Sequence, residues 1–117
     1  MKFVLSFYGT RGDVEPGVAV GRELVRRGHD AHLVVGPELV GFAESAGLPA
    51  AAFGPALDTV IEAHHQYWSL LFNKPWRVQE MNKLLNEFAA PLVAYREQAR
   101  ETLLALSTGA DLLVCGM

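Results

Sequence analysis

The residues best suited to chemistry in this sequence stand in a short turn near the start of the chain. Residues 3–16 are FVLSFYGTRGDVEP, so a hydrophobic strand leads into a turn containing Gly9 and Gly12, and Asp13 follows at the start of a helix. The loop after a strand opens on the ligand side of a parallel sheet, which places Asp13 at the mouth of a cleft. An ionised carboxylate there could act as a general base toward a bound hydroxyl group.

Asp13 also has a purely structural interpretation. Aspartate is a preferred N-cap residue, because its carboxylate accepts a hydrogen bond from an amide two or three residues further on. The two roles can coexist in one side chain. The glycines would let the backbone turn tightly and approach a substrate, although glycines after a strand often serve the turn alone.

The elements around this turn predict a parallel sheet. We expect strands at Lys2 to Phe7, Ala31 to Val35 and Ala50 to Phe53, separated by helices at Gly17 to Arg27 and Pro37 to Ala46. Left-handed glycine caps are expected at Gly28 and Gly47. The inward residues of the first helix are predicted to be Val18, Val20, Leu24 and Val25. A β-α-β-α-β order implies right-handed crossovers and helices on both faces, which is a Rossmann-like α/β fold.

The second half of the chain is predicted to be mostly helical. From Val78 onward, apolar residues recur every three or four positions up to Leu106, and Pro91 within this run predicts a kink or two helices end to end. A fourth strand is expected at Asp111 to Cys115, beside the first. An open, hydrophobic sheet edge there would be hidden by dimerisation or by swapping an element.

Composition narrows the choice of partners. The chain has 117 residues, a net charge of −3 and one cysteine. The acidic balance gives no electrostatic basis for binding nucleic acid or an anionic membrane, and no run of residues is long and apolar enough to span a bilayer. A single cysteine excludes an internal disulfide and a cysteine-based metal site. Cys115 is expected to be a small buried hydrophobic residue rather than a nucleophile.

The motif GTRGDVEP at residues 9–16, followed by a helix ending in RGHD at residues 27–30, resembles the N-terminal domain of GT-B glycosyltransferases. The likeness is to the vancomycin-type, sterol and mycobacterial glycopeptidolipid branch; it extends over the whole chain and is sharpest over the first fifty residues. It implies that residues 1–117 are the acceptor-binding half, incomplete as given, and that a second, nucleotide-sugar-binding domain is absent from the chain. The parent enzyme would transfer a sugar with inversion, using a nucleotide-diphosphate sugar as co-substrate and no other cofactor.

The resemblance also assigns roles to residues. Asp13 corresponds to the general base, which takes a proton from an acceptor hydroxyl of a lipid, glycopeptide or glycopeptidolipid. Thr10 and Arg11 would contact a donor phosphate or the domain interface, with a solvated arginine as the alternative, and Gly9 and Gly12 would let the substrate approach. Trp68, Phe72 and Trp76 would line an apolar acceptor pocket, with ordinary packing as the alternative. A cytoplasmic location is expected, with a position at the inner face of the membrane left open.

Two other functional classes compete with this interpretation. A dinucleotide-binding module is disfavoured because the turn is G-x-x-G-D and Asp30 precedes the second strand instead of ending it. A non-catalytic binding module is compatible with this chain taken alone. A metal site at His64 and His65 is not expected, since adjacent helical residues point in different directions and no third ligand stands at a suitable spacing.

Overall fold

The computed structural model describes residues 1–116, with residue 59 described by its backbone alone. Four parallel strands form one sheet: β1 (Lys2–Phe7), β2 (Asp30–Val35), β3 (Ala50–Ala52) and β4 (Leu112–Gly116), in the order β3-β2-β1-β4. The helices are α1 (Arg11–Arg26), α2 (Val40–Ser45), preceded by a 3₁₀ turn at Pro37–Leu39, α3 (Asp58–Asn73), α4 (Val78–Ala94) and α5 (Arg96–Ser107). The predicted Rossmann-like α/β fold and the place of the fourth strand beside the first are confirmed.

The main core lies between the sheet and helices α1 and α2. Alternate strand residues Leu5, Leu33 and Val35 face this side and are almost completely buried. They pack with apolar residues of the helices and of the loop before β3; these are Val14, Val18, Ala43 and Leu48. The opposite face of the sheet carries Val4 and Val34, and the end of α5 lies beside that face around a cavity of about 270 Å³. Helices therefore cover both faces, as predicted.

Two glycines of α1 face the sheet, and this changes which residues point inward. The buried residues of α1 are Val14, Gly17, Val18 and Gly21, spaced by three and four positions. The predicted inward positions Val18 and Leu24 are confirmed, whereas Val20 and Val25 are 51% and 45% exposed. The prediction was wrong there because a glycine gives no hydrophobic signal, although it is the residue that allows closest packing.

The close packing centres on Phe7. A Cβ atom at Gly17 would lie 2.5 Å from the Phe7 ring, and one at Gly116 would also overlap that ring. The ring therefore fits between α1 and the end of β4 only because both neighbours lack a side chain. This contact fixes the first helix against the carboxyl end of β1.

Strand β4 lies at an edge of the sheet and is exposed. It pairs with β1, and Leu112, Leu113 and Val114 are 49%, 41% and 37% exposed. Cys115 is exposed too, so its predicted burial is wrong: the edge position of the strand leaves its side chain uncovered by the described residues. Closure of this edge by a second copy stays a prediction.

Helices α3 and α4 form a hairpin that projects from the rest of the molecule. Val60 and Ala63 are buried at the start of α3, and no residue from 64 to 94 is buried. The described molecule measures 56 × 25 × 19 Å and has a radius of gyration of 16.8 Å, against roughly 13 Å for a compact chain of this length. Two helices end to end are confirmed at Tyr95, one turn beyond Pro91.

The loop between β3 and α3 is held by side chains from the segments that follow β1 and β2. The Tyr8 hydroxyl donates to the carbonyl of Pro55 at 2.8 Å, and the Tyr8 ring meets Phe53 edge-on with 5.7 Å between centroids. The carboxylate of Glu38 accepts a hydrogen bond from the amide of Leu57. Burial, and secondarily the charge of Glu38, raises the pKa of the Tyr8 phenol above its ordinary value.

Gly17→Ala should destabilise the fold by about 1–3 kcal/mol, because the added methyl group must displace the Phe7 ring from a packed core. Gly41→Ala is the matched control: Gly41 lies in α2 with no atom within 4 Å of an added Cβ, so the change should stabilise by up to about 1 kcal/mol. Urea unfolding of both variants measures the difference. Equal unfolding free energies for the two would contradict this account of the packing.

Tyr8→Phe should lower the unfolding free energy by about 0.5–1.5 kcal/mol, since the Pro55 carbonyl loses its donor. The raised pKa adds a pH dependence. The folded state resists ionisation of the phenol, so this part of the stability is complete below pH 10.0 and is lost as pH rises through the folded pKa. The difference between wild type and Y8F, followed by urea unfolding, should therefore shrink at alkaline pH. A constant difference would show that Tyr8 ionises equally in both states.

Candidate active site

The sequence motif folds as a capping box at the N-terminus of α1. Thr10 is the N-cap residue and has an extended backbone, and Asp13 is the third residue of the helix. Oδ2 of Asp13 accepts hydrogen bonds from the Thr10 amide at 2.7 Å and from the Thr10 hydroxyl at 2.9 Å. The structural interpretation of Asp13 as the N-cap itself is thus corrected: the helix begins six residues earlier than predicted, and Asp13 is the reciprocal partner of the cap.

One oxygen of the Asp13 carboxylate is held and the other is open. Oδ1 accepts no hydrogen bond from any group that the structure describes, and the side chain is partly exposed. The unpaired amides of the first turn make this end of α1 positive, which stabilises a negative charge. The arrangement orients the carboxylate through one oxygen and leaves the second without a hydrogen bond from the described residues.

The two glycines of the motif differ in what they do. Gly9 has φ +138°, and a Cβ there would overlap the carboxylate of Asp13, so this position requires glycine. Gly12 lies inside the first turn of α1, and its nearest neighbour is the Thr10 hydroxyl at 3.8 Å. The prediction of a tight turn at Gly12 is therefore wrong. Its missing side chain leaves open surface beside Thr10.

Arg11 is directed toward helix α2. Its guanidinium carbon lies 4.5 Å from the centroid of the Phe42 ring, a cation–π geometry. The side chain remains exposed at the same end of the sheet as Asp13. A contact of Arg11 or Thr10 with a donor phosphate or a second domain stays a prediction.

An apolar cavity of about 160 Å³ opens at the carboxyl end of the sheet, and Tyr8, the residue before the motif, is part of its lining. Its lining comes from three places: Tyr8 after β1, the segment after β3, and the junction of α4 and α5. The lining residues are Tyr8, Phe53, Gly54, Pro55, Leu92, Tyr95, Arg96 and Ala99. None of these residues was predicted from the sequence to belong to a site. Those directly after β1 and β3 could have been found from the rule that ligands bind beyond the carboxyl ends of strands.

The three aromatic residues predicted to contact the acceptor do not line this cavity. Trp68 donates through Nε1 to Nε2 of His64 at 2.7 Å and stacks on Phe72 with 5.8 Å between centroids. Phe72 and Trp76 are 77% and 72% exposed, and Trp76 borders a separate open hollow with residues 77–80. Their role toward an acceptor stays a prediction.

The two adjacent histidines also have distinct surroundings. His64 is bonded to Trp68 and lies 5.2 Å from the Phe88 ring, whereas His65 is exposed. Across the part of the chain that the structure describes, no group of three or more His, Cys, Asp or Glu side chains is placed to hold a metal.

Among the described residues, no helix combines the length and apolar character needed to cross a membrane.

The competing dinucleotide site lacks its acidic residue at the right edge. Asp30 is the first residue of β2, pairs with Lys2 in the sheet register, and lies 3.1 Å from Nε2 of His32. It stands at the amino edge, opposite the loop that carries Asp13. Glu38 does follow β2, but its carboxylate holds the Leu57 amide.

Known proteins resemble this chain in sequence and in fold. A protein named uncharacterized glycosyltransferase from Mycobacterium tuberculosis is 44% identical over 116 residues, which are 99% of this chain and 27% of that protein. Another from Mycobacterium leprae is 37% identical over 118 residues, covering the whole chain and 26% of the relative. A sterol 3-beta-glucosyltransferase of Saccharomyces cerevisiae is 40% identical over 47 residues, 40% of this chain and 4% of that protein.

The crystal structure of the Streptomyces sp. SF2575 glycosyltransferase SsfS6 superposes with a TM-score of 0.62 at 21% identity, over 98% of this chain and 33% of that one, which shows a shared fold. The chain thus spans about a quarter of the length of the mycobacterial relatives it matches. The model of one family, described as the glycosyltransferase family 28 N-terminal domain, matches residues 3–111. With that match over most of its length, the chain belongs to the glycosyltransferase family 28 N-terminal domain family.

Proposed function

We propose that this chain is the acceptor-binding half of an inverting glycosyltransferase, with Asp13 as the general base. The observation that carries the proposal is the Asp13 carboxylate itself, which is held by Thr10 through one oxygen and open at the other. An apolar cavity lined by Tyr8 opens at the same end of the sheet. Family membership and the names of the mycobacterial relatives support the reaction class.

The proposed step is a displacement at the sugar's anomeric carbon. Oδ1 of Asp13 accepts the proton of an acceptor hydroxyl, the hydroxyl oxygen forms the new bond to the anomeric carbon, and the nucleotide diphosphate leaves with the electron pair of the broken bond. Attack from the face opposite the leaving group inverts the configuration. The capping bonds to Oδ2 hold the carboxylate in one orientation, which is the positional requirement for a general base.

The cavity favours an acceptor with an apolar body. Its lining is formed mainly by aromatic rings, aliphatic side chains and Pro55, with the Arg96 side chain as its charged member. A volume of about 160 Å³ accommodates a single ring or a short alkyl segment of such an acceptor. The proposed acceptor is a lipid, glycopeptide or glycopeptidolipid, and the name of the yeast relative, sterol 3-beta-glucosyltransferase, supports an apolar acceptor.

The donor is proposed to bind chiefly outside this chain. A nucleotide-diphosphate sugar would be held by a second domain and would meet the exposed loop at Thr10, Arg11 and Gly12. No resident cofactor or metal is proposed for the reaction, and a cytoplasmic location is part of the same proposal. The isolated 117-residue chain is accordingly expected to show no sugar transfer.

Asp13→Asn should reduce kcat by about 10²–10⁴-fold, because the amide cannot accept the proton. The assay requires the chain together with a nucleotide-sugar-binding half, such as that of a family relative. The Asn oxygen can still accept from the Thr10 amide, so urea unfolding of the isolated chain should change little. Asp13→Ala, which removes the capping acceptor, should cost about 0.5–2 kcal/mol.

Glu15→Gln is the matched control, since Glu15 is an exposed acid of the same helix turn and loses the same charge. It should leave kcat unchanged. Activity of D13N within a few-fold of wild type would remove Asp13 as the base and leave it a capping residue.

Ala99→Phe should raise the KM for the acceptor by about tenfold or more, a loss of at least about 1.4 kcal/mol of binding, because the larger side chain fills the cavity. The KM for the nucleotide sugar should stay the same. Ala94→Phe, at an exposed position in the last turn of α4, is the control. Equal acceptor KM values for both variants would place the acceptor elsewhere.

A further inference from the structure

The apolar cavity at the carboxyl end of the sheet has a single cation in its lining. Among the described residues that form this lining, only Arg96 carries a formal charge at neutral pH. Arg96 is the first residue of α5, and its side chain is exposed. An arginine lays the aliphatic part of its side chain along apolar surface and keeps its guanidinium group in water. The charge therefore lies at the mouth of the cavity, and the interior is apolar.

The guanidinium of Arg96 is not neutralised by the protein. It makes no ion pair with any side chain that the structure describes, whereas Glu97, the next residue of α5, lies 3.6 Å from Arg100. The phenol of Tyr8, which also lines the cavity, stays uncharged at neutral pH because burial raises its pKa. The lining thus contributes one positive charge and no negative charge.

This combination suits a ligand with both an apolar part and an anionic part. A guanidinium group presents its donors in a planar fork that matches the oxygens of a carboxylate or a phosphate. The chain as a whole has a net charge of −3, which by itself disfavours an anionic ligand, so a preference for one requires a local cation. We propose that Arg96 is a specificity-determining residue that selects an acceptor in which an apolar body carries an anionic group.

This inference rests on the proposed function for one point, that the ligand of the cavity is the acceptor. Binding itself needs no sugar transfer, and the lining includes no residue of the capping box. Because Arg96 is exposed, water and salt screen its attraction for an anion. The preference should therefore be modest, about fivefold at low ionic strength, and should shrink as salt rises.

The test uses the 117-residue chain and two probes of similar shape, 4-propylbenzoate and the uncharged 4-propylbenzamide. Amide chemical shifts, followed by NMR as each probe is added, give the dissociation constant and the place of binding. Wild type should bind the carboxylate about fivefold more tightly than the amide. The shifts should centre on the lining segments at residues 53–55 and 95–99.

Substitutions of Arg96 should change the preference without changing the affinity for the uncharged probe. Arg96→Gln should remove the preference, Arg96→Lys should keep part of it, and Arg96→Glu should reverse it. Arg22→Gln is the matched control, since Arg22 is an exposed arginine of α1 that lies outside the cavity lining. It loses the same charge and should keep the preference, and circular dichroism checks that all variants are folded.

Three results would overturn the inference: equal affinity of wild type for the two probes at low salt, an unchanged preference in R96Q, or chemical-shift changes confined to residues outside the lining. Ala99→Phe should weaken the binding of both probes by about tenfold, because it fills the cavity. Asp13→Asn should bind both probes like wild type. A failure of the general-base proposal would appear in the kcat of D13N, and a failure of this inference would appear in the probe affinities.

Discussion

The hydrogen bond from the Thr10 amide to Oδ2 of Asp13 is the constraint on which the rest of the site depends. It satisfies a backbone donor at the N-terminus of α1, and so helps decide where the helix begins. It also occupies one carboxylate oxygen and leaves the second open. Gly9 belongs to the same constraint, because its φ of +138° and missing side chain leave room for the carboxylate. Helix initiation and the proposed chemistry therefore use the same few atoms.

The position of this carboxylate is set in turn by the packing of Phe7. The ring closes the gap between α1 and the ends of β1 and β4, and glycines on both neighbours allow the approach. The first turn of α1 is thereby fixed relative to the carboxyl edge of the sheet. The segment after β3 lines the apolar cavity, and two hydrogen bonds hold it: one from Tyr8 to Pro55 and one from Leu57 to Glu38. Ordinary packing and two hydrogen bonds thus fix both Asp13 and the cavity lining at the carboxyl end of the sheet.

The sequence was sufficient to predict the strands and the place of Asp13 in the turn after β1. It was not sufficient to predict the surfaces around them. β1 matches its predicted bounds, and Gly28 and Gly47 have the predicted positive φ, because buried parallel strands are apolar runs and glycine caps are local signals. The start of α1 was missed because proline is typical of the first turn of a helix, whereas Pro16 lies one turn further inside α1. The Tyr95 side of the cavity depends on how α4 and α5 dock, which no local pattern encodes.

The molecule is divided between a packed sheet region and a hairpin that the core does not constrain. Beyond Ala63, α3 and α4 bury no residue, so a substitution on their outer surface removes little apolar contact and should cost little folding stability. The capping box has no such freedom, since Thr10 and Oδ2 of Asp13 also hold the start of the helix. Surface chemistry on the hairpin can therefore change without unfolding the sheet region or displacing Asp13. An acid placed on the core is thus fixed in position, whereas the surface of a projection can vary in sequence at little cost in folding stability.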